Sequence, residues 1–197
     1  MKSKAKFTTR NLVLLSLLTA IVVVLQVLAL VFPTLPFTLT LVLVPIVIGS
    51  ALIGPAAGGW LGLVFGFVVL ATGGANLFLP INAPATIIIV LLKGALAGIL
   101  AGCAYALIAG KNRTAATVAA AVVSPVVNTG IFILGVYMFF LPEVARWGMD
   151  AGAGSAAEFI FLGMVGINFP VELAINIILS PVIVRLIEYY EDRKAGK

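Results

Sequence analysis

The chain has 197 residues, of which 62% are hydrophobic and 10% charged, with a formal net charge of +5 and a mean hydropathy of +1.24. Soluble domains carry about 25% charged residues, so most of this chain is expected inside a bilayer. It has no histidine and one cysteine, Cys103. That excludes a histidine general base, Ser–His hydrolysis, His-ligated metals, an internal disulfide and a cysteine metal cluster. No metal or cofactor is expected. The basic residues stand at the ends of apolar runs, where topology explains them, so no nucleic-acid partner is expected either.

Lys2, Lys4, Lys6 and Arg10 precede an apolar run that Asn11 opens and Phe32 ends. The run is longer than a usual signal-peptide core and lacks a small-residue cleavage site. It is expected to be a retained first helix, 11–32. Ser16 and Ala20 put two small residues on one of its faces, a spacing that lets another helix approach closely. That face suits either a partner protein or packing within the chain. Pro33 and Pro36 break the chain, and a second helix is expected over 37–53, capped by Thr38 or Thr40.

Gly54-Pro55 makes a tight turn into a third helix, 55–72. Gly58, Gly62 and Gly66 recur there at every fourth position. Gly94, Gly98 and Gly102 repeat the device in a fourth helix, 84–109, which predicts close helix packing. The last two helices are expected over 115–140, interrupted at Ser124-Pro125, and over 166–189. An uncharged loop occupies 71–83, and the longest loop is expected at 141–162. The predicted fold is an all-α membrane protein, a single domain over 1–197 forming a compact bundle of six transmembrane helices. Every basic residue except Lys93 and Arg146 falls on one side. The positive-inside rule then puts both termini in the cytoplasm.

Lys93 is the exception that asks for an explanation. At about 1.5 Å per residue it lies about 13 Å from the helix start at Pro84. A charge near a bilayer centre costs about 2.5–3.5 kcal/mol on insertion scales, and is kept where it faces a partner, a cavity or a ligand. In this topology the second, fourth and sixth helices begin at the outer face. Each start offers unpaired N–H groups and about half a positive charge. Asn82 and Asn168 stand at two of these starts. Starts converging above Lys93 would favour a carboxylate or phosphate on a small ligand.

Asn168, Glu172 and Asn176 share one helix face. Glu172 is the natural ion partner of Lys93, as a structural salt bridge, a ligand contact or a proton relay. Asn128 and Thr129 lie deep in the fifth helix, where a buried amide needs partners. Those partners are either the ligand or backbone freed by Pro125. Trp147 either stacks on a bound ring or sits at the lipid interface. No phosphate loop, nucleophile elbow or paired-carboxylate motif occurs, so an enzyme reading has little support.

Several of these stretches, in this order, make the chain resemble a known family. They are Ser16-x-x-x-Ala20, Pro45-Ile-Val-Ile-Gly49, Leu52-Ile-Gly-Pro55-Ala-Ala-Gly58, Leu92-Lys93-Gly94-x3-Gly98, Pro125-x2-Asn128-Thr129-Gly130 and Phe169-Pro-Val-Glu172-x3-Asn176. The chain resembles, over almost its whole length, the substrate-binding S components of energy-coupling factor (ECF) transporters, which are bacterial vitamin importers. The resemblance implies a vitamin site near the outer face of a plasma-membrane protein. It implies docking through Ser16 and Ala20 on a transmembrane coupling subunit driven by two ATPase subunits. The family's loop over the site maps onto Thr72–Asn82, with Asn76 and Asn82 as candidate contacts. Its helix contacts map onto Lys93, Asn128, Glu172 and Asn176, and Thr129 beside Asn128 is a further candidate from the chain's own pattern.

An anionic head group at Lys93 suits pantothenate, which is favoured, and also folate, lipoate, niacin or biotin. Riboflavin is the neutral alternative. Two other classes stay open: an ion-coupled secondary transporter with Lys93 and Glu172 as its switch, and a structural membrane protein.

Overall fold

The computed structural model describes residues 8–31 and 40–194, and every regular element among them is helical. The order is α1 (Thr9–Val31), a 3-10 turn (Thr40–Val42), α2 (Leu43–Leu52), α3 (Pro55–Ala71), α4 (Ala83–Ile108) and α5 (Arg113–Phe139). Then come α6 (Leu141–Asp150), a short α7 (Ala156–Glu158), a π-helical segment (Phe159–Val165) and α8 (Asn168–Lys194). Helices α1, α4, α5 and α8 are long and apolar enough to cross a membrane, while α2 and α3 are shorter apolar helices. The chain is an all-α membrane protein. Leu107, Met138 and Ile178 are 83%, 73% and 71% exposed, and lipid is the solvent that covers such side chains.

Local chemistry sets the boundaries. Gly54 joins α2 to α3 with φ of +128°, a conformation that only glycine adopts without strain. Asn82 caps α4, its side chain accepting from the Ala85 N–H at 3.1 Å, with proline in the first turn. Asn112 caps α5 in the same way through the Ala115 N–H at 2.9 Å. Each cap satisfies a donor that the helix cannot.

The glycine stripes decide the central packing. A Cβ at Gly62 would strike the carbonyl of Gly94, and a Cβ at Gly94 would strike that of Gly62. Gly58 and Gly98 stand in the same reciprocal relation. A Cβ at Gly102 would come within 2.7 Å of the Pro55 Cα. At these glycines backbone meets backbone across the α3–α4 seam, because no side chain separates the two helices there. The expected tight packing is what the structure has. Short α2 is embedded against this pair: Leu43, Ile46 and Val47 are fully buried. Leu43 and Ile46 join α1 and α3, while Val47 joins a second cluster with Ala101, Ala116, Ile183 and Ile187. A helix buried on several sides reads as a continuous apolar run, and this one does.

The two ends of the bundle differ. At one end Arg10 donates to the Tyr190 carbonyl at 2.9 Å and lies 4.1 Å from the Tyr190 ring centroid. Tyr190 in turn donates to Asn11 Oδ1 at 2.9 Å. The start of α1 and the end of α8 are therefore clasped together. At the other end, the turns at 72–82 meet α6 and the π-helical segment in a third cluster that includes Phe78, Ile89, Phe140, Val144 and Ile160.

Several expectations need correction. The stretch 32–39, with Pro33, Pro36, Thr38 and the start of the expected second helix, lies outside the described residues, as does 1–7. What is described of that helix begins with a 3-10 turn at Thr40, and α2 has no side-chain cap. Helix α5 continues through Pro125 without interruption. A proline removes one donor, and packing in a bundle can hold the helix across the gap. The expected loop 141–162 is mostly helical. Val144 and Gly148 are buried while Arg146, Met149 and Asp150 are exposed, so charge marks one face of a short amphipathic helix rather than a loop. The last helix starts at Asn168, because the chain is π-helical to Val165 and turns at Gly166, where φ is +45°.

Candidate functional site

Away from the α1–α8 clasp, two adjoining cavities lie between the helices. The first, about 170 Å3, is apolar and lined by Val69, Phe78, Ile89, Val90, Val136 and Phe140, with Thr86 and Leu77 at its edge. The second, about 270 Å3, is the more polar of the two and is lined by Gln26, Asn128, Thr129, Asn168 and Glu172, with Met164, Val165 and Phe169. Val69, Gly74, Lys93 and Phe132 line both. Lys93 thus stands where an apolar lobe meets a polar one.

The lysine is placed by packing. Its Nζ lies 5.7 Å from the ring centroid of Phe65 on α3 and 5.7 Å from that of Phe132 on α5. A cation within about 6 Å of an aromatic face is attracted by the ring quadrupole. Two such faces hold the ammonium at the junction without neutralising it. Glu172 lines the polar lobe with Lys93, yet no nitrogen–oxygen approach within 4.0 Å joins the two. The expected ion pair is not closed by direct contact, and the two opposite charges act on each other across the lobe.

The candidate residues divide accordingly. Lys93, Asn128, Thr129 and Glu172 come together around the polar lobe, with Asn168 at the start of α8. Asn128 is buried, its Oδ1 has no hydrogen-bond partner, and its side chain does not serve the backbone near Pro125. Asn176 lies one turn below Glu172, fully buried, and donates from Nδ2 to the Glu172 carbonyl at 2.9 Å; it does not line either cavity. Asn82 is occupied as the cap of α4. Asn76 is exposed in the 72–82 turns. Of the three helix starts expected to converge, those of α4 (through Thr86) and α8 reach the cavities, and the expected start of the second helix, at 37, lies outside the described residues. Ser16 and Ala20 are both exposed on the outward face of α1, and Ser16 bonds back to the Leu12 carbonyl at 2.9 Å.

Sequence reasoning passed over the aromatic frame and Gln26. Phe78 packs against Phe132, Phe140 and Trp147, at centroid distances of 6.0, 4.8 and 5.8 Å. Trp147 therefore packs on Phe78, which lines the apolar lobe, and does not itself line either cavity. Gln26 is 2% exposed, and its Oε1 has no partner. The signal for it was present: a lone amide within the otherwise apolar stretch from Ala20 to Val31.

The two cavities are partly open and join an apolar wall to one that carries polar side chains, and no cluster of metal-ligating side chains occurs among the described residues. No match was found among curated proteins or among solved structures. A family model described as ECF transporter, substrate-specific component, matches residues 10–184. With most of its length matched, the chain belongs to the family of ECF transporter substrate-specific components: a substrate-binding transport subunit rather than an enzyme.

Proposed function

We propose that this subunit binds a small anionic vitamin in the joined cavities, with pantothenate the favoured ligand, and serves its uptake across the plasma membrane of a bacterium. The observation that carries the reading is Lys93 at the junction of an apolar and a polar lobe, framed by Phe65 and Phe132 and not paired with Glu172. The ligand's carboxylate meets the Lys93 ammonium, where low dielectric strengthens the contact. Its polar remainder faces Asn128, Thr129 and Glu172.

The bundle crosses the bilayer six times with both termini in the cytoplasm. The Arg10–Tyr190 clasp, which holds the two ends together, and the one-sided basic residues support this reading. The site then faces outward under the 72–82 turns and α6. The exposed Ser16–Ala20 face of α1 docks on the transmembrane coupling subunit, and two partner ATPases supply the energy.

The test is binding of a vitamin panel to the purified chain in detergent, by calorimetry, with mass spectrometry of any molecule that copurifies. A stoichiometric carboxylate vitamin whose binding Lys93→Met weakens about 10- to 100-fold supports the reading. A neutral vitamin bound equally by wild type and Lys93→Met overturns the anionic ligand.

A further inference from the structure

Two buried amides in the polar lobe have nothing to bond. Gln26 on α1 is 2% exposed and Asn128 on α5 is 8% exposed. Both line the same lobe. The Oε1 of one and the Oδ1 of the other are without partners, and neither side chain makes any other hydrogen bond. Leaving a buried polar group unsatisfied costs about 1–3 kcal/mol. Apolar side chains of similar size would fill the same positions without that cost. Ser124 Oγ and Asn176 Oδ1 are also unpartnered, but neither residue lines the lobe. Of the four residues with an unpartnered buried oxygen, Gln26 and Asn128 are the two that line the lobe.

We infer that Gln26 and Asn128 are specificity-determining residues that recognise hydroxyl or amide groups on the ligand. This rests on the reading that the cavity holds the substrate, and it narrows the substrate class. An amide offers one acceptor and two donors, and hydroxyl and amide groups answer it in both senses. Glu172 and Thr129 add further hydrogen-bonding groups to the same wall, while Lys93 takes the anion at the junction. The substrate is a small carboxylate bearing hydroxyl or amide groups at its other end. A site built to hydrogen-bond such groups rejects analogues that lack them, because its own buried groups then stay unpaired. A carboxylate with a purely apolar remainder fits the apolar lobe but leaves both amides unanswered.

The experiment measures affinity of the full chain in detergent for pantothenate and biotin, which carry hydroxyl or amide-type groups. Lipoate and nicotinate, which lack them, form the comparison set. Wild type, Gln26→Leu, Asn128→Leu and Lys93→Met are compared, each also melted without ligand. Wild type is expected to bind a member of the first pair and neither of the second with similar strength. Gln26→Leu and Asn128→Leu each weaken that binding about tenfold or more. Their ligand-free melting temperatures stay at or above that of wild type, because an unpaired buried amide has been removed.

Three results overturn the inference. In the first, binding depends on Lys93 but not on Gln26 or Asn128, which leaves the anionic-vitamin reading standing. In the second, lipoate or nicotinate binds as tightly as pantothenate or biotin. In the third, the leucine variants melt well below wild type without ligand, which makes the amides structural. Absence of binding by any of these carboxylates overturns both the inference and the reading beneath it.

Discussion

Lys93 on α4 and Glu172 on α8 line the same polar cavity without closing an ion pair within 4.0 Å. Opposite charges this deep in an apolar bundle gain most by pairing directly, since the surroundings screen them weakly. Here the ammonium is held instead between two aromatic rings, and the carboxylate forms part of the opposite wall. Lys93→Met keeps the volume and the apolar contacts with Phe65 and Phe132 while removing the charge. Ligand affinity is expected to fall about 10- to 100-fold, the worth of a hydrogen bond to a charged group. Calorimetry on the purified variant measures this, and near-wild-type affinity would remove Lys93 from the site.

The α3–α4 seam is the least tolerant part of the fold. Alanine is normally favoured over glycine within a helix by about 1 kcal/mol. At Gly94 and Gly62 that preference is reversed, because a Cβ has only the facing carbonyl to enter. Gly94→Leu is expected to prevent assembly of the bundle. Gly94→Ala is expected to destabilise it by about 1–3 kcal/mol, the usual cost of overpacking. Thermal unfolding in detergent reads both, with Gly130→Ala, where nothing lies within 4 Å of an added Cβ, as the neutral control.

Phe78 ties the 72–82 turns to α5 and α6 through Phe132, Phe140 and Trp147. Phe78→Ala should cost about 3 kcal/mol of stability, at the low end for a buried phenylalanine. It should also speed ligand dissociation, because the cover over the apolar lobe loses its anchor. Stopped-flow dissociation rates decide this. An unchanged rate would mean that these turns do not retain the ligand.

Asn82 caps α4 through the Ala85 N–H. Asn82→Ala is expected to lower stability by about 1 kcal/mol, while Asn82→Asp keeps the acceptor and most of the stability. Equal stability of the two variants in thermal unfolding would contradict the capping role.

Ser16 and Ala20 lie exposed on α1 and contribute nothing to the buried core. Replacing both by tryptophan is expected to stop uptake in cells that carry the complete transporter and to leave ligand affinity of the isolated chain unchanged. Uptake that survives the double substitution would place the docking surface elsewhere.

Much of this was legible in the chain itself. Apolar run lengths gave the long helices to within a few residues, because twenty or so consecutive apolar residues have few places to go but a bilayer. The glycine spacing gave the α3–α4 contact, since every fourth residue of a helix falls on one face. Lys93 stood out because a charge in such a run needs a reason to be there.

Other features depended on neighbours that only folding supplies. Helix α6 was hidden by its charges, which mark its solvent side and say nothing of Val144 and Gly148 beneath. Asn82 and Asn128 are the same residue type, and the sequence marks both as candidates for the site. One spends its side chain on the Ala85 N–H, and the other faces a cavity with its oxygen unpartnered. Gln26 joins Lys93, Asn128 and Glu172 only because α1 lies against the same space as α4, α5 and α8. Hydropathy and periodicity are local properties of the chain, so the sequence determined the helices and the buried charge. Which polar side chains share a cavity, and which of them are left without a partner, is decided by contacts between residues far apart along it.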